Sequence, residues 1–136
     1  MLSSNKAPVF FWSEEFKGHK IKINGTIAEQ TFMESSGQRF ALMEPGLSQS
    51  NYFYYEIVGN RKQCWGIKIK KFVGWVGLGI CLKNTIKLAN YHFNYTNTGH
   101  GSYLISSNGY SWSHSVKEFN SAFKTFQFAV NDIVYV

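Results

Sequence analysis

Proline and acidic residues are scarce in this chain: the 136 residues hold 2 Pro and 8 Asp plus Glu, and charged residues make up only 16%. Disorder requires high charge and few aromatics; with aromatics at 18%, the composition is that of a folded chain. No apolar run approaches about 18 residues, so no helix long enough to cross a bilayer is expected. The patch Val9-Phe10-Phe11-Trp12 behind Lys6 is too short for the apolar stretch of a secretory leader. The reading is therefore an intracellular protein, cytoplasmic or nuclear, without a membrane partner. In that setting the two cysteines, Cys64 and Cys81, read as reduced thiols rather than a disulfide.

Catalytic signatures are equally sparse. There is no Cys-x-x-Cys, and none of His19, His92, His100 and His114 pairs with another at zinc-ligand spacing, so no metal or cofactor is expected. Ser102, His100 and Asp132 assemble into a Ser-His-Asp set on paper, as some such trio does in nearly every sequence, but no Gly-x-Ser-x-Gly elbow accompanies them. Gly74-x-x-Gly77-x-Gly79 lacks the lysine and the strand-loop-helix setting of a phosphate loop. The eight carboxylates show no catalytic pairing. A non-catalytic protein is expected.

What the chain does have is β-sheet grammar. Lys20-Ile21-Lys22-Ile23 alternates, Asn24-Gly25 follows, and Thr26-Ile27-Ala28-Glu29 resumes; Asn-Gly is the strongest short-range hairpin signal. The same logic joins Ser102–Ser106 to Tyr110–His114 through Asn108-Gly109. Further strands are expected at Phe40–Met43, Tyr52–Val58, Trp65–Lys70, Gly74–Leu82 and Phe126–Val130. No window of helical length carries a 3.6-residue period, and Ser115–Phe126 has room only for a short helical turn. Many short strands punctuated by turns predict an all-β, two-sheet antiparallel sandwich. Residues 1–11 read as a short N-terminal extension and 12–136 as one domain. Gly74, Gly77 and Gly79 in one strand imply close backbone approach, with Trp75 filling core space beside them.

The order of motifs resembles a SPRY (B30.2-like) domain. Gly46-Leu47-Ser48 before Tyr52-Phe53-Tyr54-Tyr55-Glu56-Ile57 is similar to that family's glycine turn and aromatic strand. Gly74-Trp75-Val76-Gly77-Leu78-Gly79-Ile80 resembles its glycine-rich central strand, and Gly101-Ser102-Tyr103-Leu104 with Asn108-Gly109 its tyrosine-containing hairpin. Asn131-Asp132-Ile133-Val134-Tyr135-Val136 resembles its Gly-Asp strand, with Asn131 in the glycine position. The family continues with further strands that this sequence does not contain. The resemblance implies a jelly-roll sandwich that binds peptides or proteins through loops at one end, as an adaptor or scaffold subunit.

Carried onto these residues, the loops are Met43-Glu44-Pro45, Lys83–Gly99 and Trp112–His114. The expected partner-binding residues are Glu44, Pro45, Tyr91, His92, Asn94, Tyr95 and Trp112, with the aromatics as anchors and Glu44 or Asn94 fixing orientation. Equally, Tyr91 and Phe93 could tuck beneath the sandwich. The net charge of +6 supports an alternative, a basic subunit contacting RNA or DNA. Against it, Lys20 and Lys22 alternate with Ile21 and Ile23, and Lys68 and Lys70 with Ile67 and Ile69, the pattern of a solvated sheet face.

Overall fold

The computed structural model describes residues 9–31, 38–46, 66–93 and 96–136. Every strand pairing among them is antiparallel. β1 (Phe11–Lys17) pairs with β4 (Ala41–Glu44), and β2 (Ile21–Asn24) with β3 (Ile27–Gln30). β5 (Gly66–Lys68) pairs with β10 (Ile133–Tyr135). The largest sheet runs β6-β7-β8-β9, from Gly77–Cys81 through Ser102–Ser106 and Asn108–Ser113 to Ala122–Gln127. A six-residue helix, α1 (Lys83–Leu88), and a 3-10 turn, η1 (Lys117–Phe119), complete the described elements. The fold is all-β, with antiparallel sheets in sandwich-like layers.

Both Asn-Gly hairpins form: the first has its turn displaced by one residue, and the second reverses at Asn108-Gly109 as expected but through a three-residue loop. Asn24 pairs with Ile27, so the central residues are Gly25 and Thr26 rather than Asn24 and Gly25. Of these only Gly25 has positive φ (57°), the signature of a type II′ turn, which puts glycine first. In the second hairpin Tyr103 pairs with Ser113 and Ile105 with Ser111, which leaves Ser107-Asn108-Gly109 at the tip and Gly109 at φ 87°. That is the three-residue loop closed by a left-handed glycine. The strand expected at Phe126–Val130 lies earlier, at Ala122–Gln127. The chain turns after it because the Asp132 carboxylate accepts the Ala129 amide at 2.8 Å. Tyr52–Val58 lies outside the described residues.

Strand alternation assigns the two faces of the large sheet. Leu78, Ile80, Tyr103, Ile105, Ser111 and Ser113 share one face through the register Leu78–Ile105, Ile80–Tyr103, Tyr103–Ser113 and Ile105–Ser111. Gly77, Gly79, Cys81, Ser102, Leu104 and Trp112 share the other. On the first face Leu78 joins Ile69, Phe128 and Val134 in a core cluster, so β5 and β10 form a cover over that end of the sheet. The glycine face carries Trp75, whose ring lies 3.0 Å from where a Gly77 Cβ would stand. Trp75 stacks on Trp112 at 5.7 Å and meets Phe93 edge-on at 5.8 Å. Beyond them Phe16, Ile86 and Tyr91 form a second core cluster, flanked by Phe40, Leu42 and Cys81.

Burial in that second layer pushes the Cys81 thiol above its ordinary pKa, because desolvation penalises the thiolate. The folded state thus favours the protonated thiol. The contribution is complete below the unfolded-state pKa and is lost as pH rises through the higher folded value. In a Cys64→Ser background, iodoacetamide is expected to modify Cys81 slowly at neutral pH and rapidly in denaturant. Native-state labelling as fast as a free thiol would contradict this placement.

Candidate interaction surface

Among the described residues the first face of the large sheet is only partly covered. Beyond Leu78 it opens into an apolar groove of about 550 Å³, floored by Ile80, Tyr103 and Ile105. Val116 and Phe119 form one flank and Tyr135 and Val136 the other. Ile80 is 48% exposed, Phe119 48% and Tyr135 68%, so these side chains face solvent instead of closing a core. Among the described residues β6 is an edge strand of its sheet, so main-chain groups lie beside the groove.

The η1 flank is held by hydrogen bonds to its own sheet. Ser111 Oγ donates to the Phe119 carbonyl at 2.7 Å, the Val116 amide to Ser113 Oγ at 3.0 Å, and the Ser113 amide to Asn120 Oδ1 at 3.2 Å. The Tyr103 hydroxyl donates to Ser115 Oγ at 3.2 Å. Lys124 rests its ammonium over the Phe119 ring, 4.4 Å from the centroid, a cation–π contact that orients the ring. A hydroxyl-rich hairpin followed by a one-turn helix therefore presents Val116 and Phe119, three residues apart, on the same side of that turn.

Next to this flank lies the chemistry that the sequence set out as Ser102, His100 and Asp132. Ser102 Oγ donates to His100 Nδ1 at 2.8 Å, and the Ser102 amide donates to the same nitrogen at 3.2 Å. Nδ1 is thus the acceptor, and Nε2–H donates to Asn120 Oδ1 at 2.7 Å. The third member is Asn120; Asp132 belongs to the turn after β9. Ser102 has no exposed surface, which closes its hydroxyl to any substrate. The set ties strand β7 to the loop after β8.

Of the described residues expected to bind a partner, Tyr91 and His92 adjoin Phe93, whose ring meets that of Trp112 at 5.3 Å, while Glu44 and Pro45 lie at the end of another strand. Tyr91 and Trp112 are each 9% exposed: Tyr91 packs with Phe16 and Ile86, and Trp112 stacks on Trp75 while also lining the groove. His92 is exposed, and its Nδ1 accepts from Arg39 Nη1 at 2.8 Å. Glu44 and Pro45 sit at the far end of β4, where Glu44 pairs with Phe11, about 16 Å of extended chain from Arg39. Asn94 and Tyr95 lie outside the described residues. The stretch Lys83–Gly99 is not one long loop: it opens with α1, and Tyr91 and Phe93 tuck beneath the sheet. Sequence reasoning passed over Ile80, Val116, Phe119 and Tyr135. The available signal was Leu78 and Ile80 alternating with Gly77 and Gly79, which separates an apolar face from a glycine face.

Compared with protein-family models, curated proteins and solved structures, the chain finds no match. What the fold and the surface define is therefore a class: an all-β protein of antiparallel sheets in which, among the described residues, one apolar sheet face is only partly covered.

Proposed function

We propose that this chain is a non-catalytic interaction module that takes an extended peptide or a protein surface into the groove floored by Ile80, Tyr103 and Ile105. The open apolar groove on a rigid sheet carries the reading, because large solvent-facing apolar patches mark contact surfaces. The adjacent β6 edge supports it by offering main-chain pairing for an added strand. The resemblance to SPRY domains points to the same class of function, with the contact on a sheet face and not on the end loops alone. An intracellular adaptor or scaffold role belongs to this reading.

The test is selection of peptides from a random phage-displayed library on the immobilised protein. Selected peptides are expected to be apolar and to lose at least tenfold in affinity against Phe119→Ser or Ile80→Asp, the range of a contact hot spot. Peptides that bind those variants unchanged would place the interaction elsewhere.

A further inference from the structure

A second surface lies on the α1 side of the molecule, away from the groove residues. The turn 18–21, the segment 38–43 and the stretch 81–93 converge on the Phe16, Ile86 and Tyr91 cluster. Arg39 lies along Gly18, where a Cβ would stand 2.9 Å from it, and donates to His92, whose ring is 6.3 Å from that of His19. Lys83 and Lys87 place their ammonium groups 3.3 and 5.9 Å from the Phe16 ring centroid. Lys17 and Lys20 flank the same turn, Lys17 in contact with Glu14 at 3.4 Å. Residues 16–21, 38–43 and 81–93 contain Lys17, Lys20, Arg39, Lys83 and Lys87, and no Asp or Glu.

Two exposed leucines belong to the same stretch. Leu88, at the end of α1, is 89% exposed, and Leu82, just before it, is 46% exposed. A phosphodiester backbone would engage the cations and leave both leucines in water. An anionic bilayer engages both: cations at the headgroups, leucines at the acyl boundary. We propose that this surface docks the protein peripherally on membranes rich in anionic lipid. The sequence-based expectation of no membrane partner rested on the absence of a spanning run, which does not bear on a surface that lies on the bilayer.

The test is co-sedimentation of the full chain with phosphatidylcholine vesicles containing about one-quarter phosphatidylserine, against pure phosphatidylcholine. Binding is expected only to the anionic vesicles. It should be lost as NaCl rises from about 0.05 to about 0.5 M, which cuts the Debye length to roughly 4 Å. Lys83→Gln with Lys87→Gln should weaken partitioning about twenty-five-fold, or roughly fivefold per charge. Leu88→Ser should weaken it about tenfold. Both changes are at exposed positions, and unchanged circular dichroism checks that the variants fold. Leu88→Trp should bind at least as well and shift its emission to the blue on contact with vesicles.

No binding to anionic vesicles at low salt would overturn the proposal. So would equal binding to neutral vesicles, or Leu88→Ser partitioning like the parent chain. An oligouridine that binds the parent and Leu88→Ser alike, with vesicles left unbound, would assign the cations to nucleic acid instead.

Discussion

Replacing Gly79 with alanine is expected to cost at least about 3 kcal/mol, enough to remove much of the stability of a domain this size. A Cβ at this position would overlap the Tyr103 carbonyl oxygen and stand 3.0 Å from Leu104 Cα. Both obstacles are backbone atoms of β7, so relief requires opening the β6–β7 ladder. Gly25→Ala is the control: its φ is also positive, at 57°, but nothing lies within 4 Å of the added carbon. There only the left-handed conformation is penalised, by about 1 to 2 kcal/mol. Urea unfolding of the two variants separates close approach from backbone strain. Equal midpoints would show that β6 does not run this close to β7.

Ile86→Ala is expected to destabilise by about 2 to 5 kcal/mol, because Ile86 has no exposed surface and packs between Phe16 and Tyr91. A six-residue helix cannot sustain itself in water, so this one side chain docks α1 onto the sheet layers. Leu88→Ala, two residues on and 89% exposed, should change stability by less than about 0.5 kcal/mol. If the two substitutions shift the urea midpoint equally, α1 is not anchored by its buried face. The Ile86 variant should also weaken docking on anionic vesicles, since Lys83, Lys87 and both leucines ride on that anchor.

The hairpins were legible because their information is local. Alternation plus Asn-Gly specifies two strands and a reversal, and only the turn type, which moved Gly25 to first place, was settled by pairing. The lysine alternation held for the same reason: Ile21 and Ile69 are buried while Lys20, Lys22, Lys68 and Lys70 are exposed. Helix α1 was illegible since six residues with a single buried position produce no measurable period. The sequence left Tyr91 and Trp112 open between two roles because aromatics serve cores and contacts with the same chemistry. Their burial follows from Trp112 facing Leu104 and from Tyr91 turning in under Ile86, both long-range facts. The groove depends on four elements meeting and could not be read from any one of them.

A sheet face that the described residues cover only in part has a thermodynamic corollary. Whatever settles over Ile80, Tyr103 and Phe119 removes apolar surface from water. A ligand held at a hundred times its dissociation constant would raise the unfolding free energy by about 2.7 kcal/mol. Melting temperature is therefore a reporter of occupancy, and its rise with concentration would measure affinity with no label on either molecule.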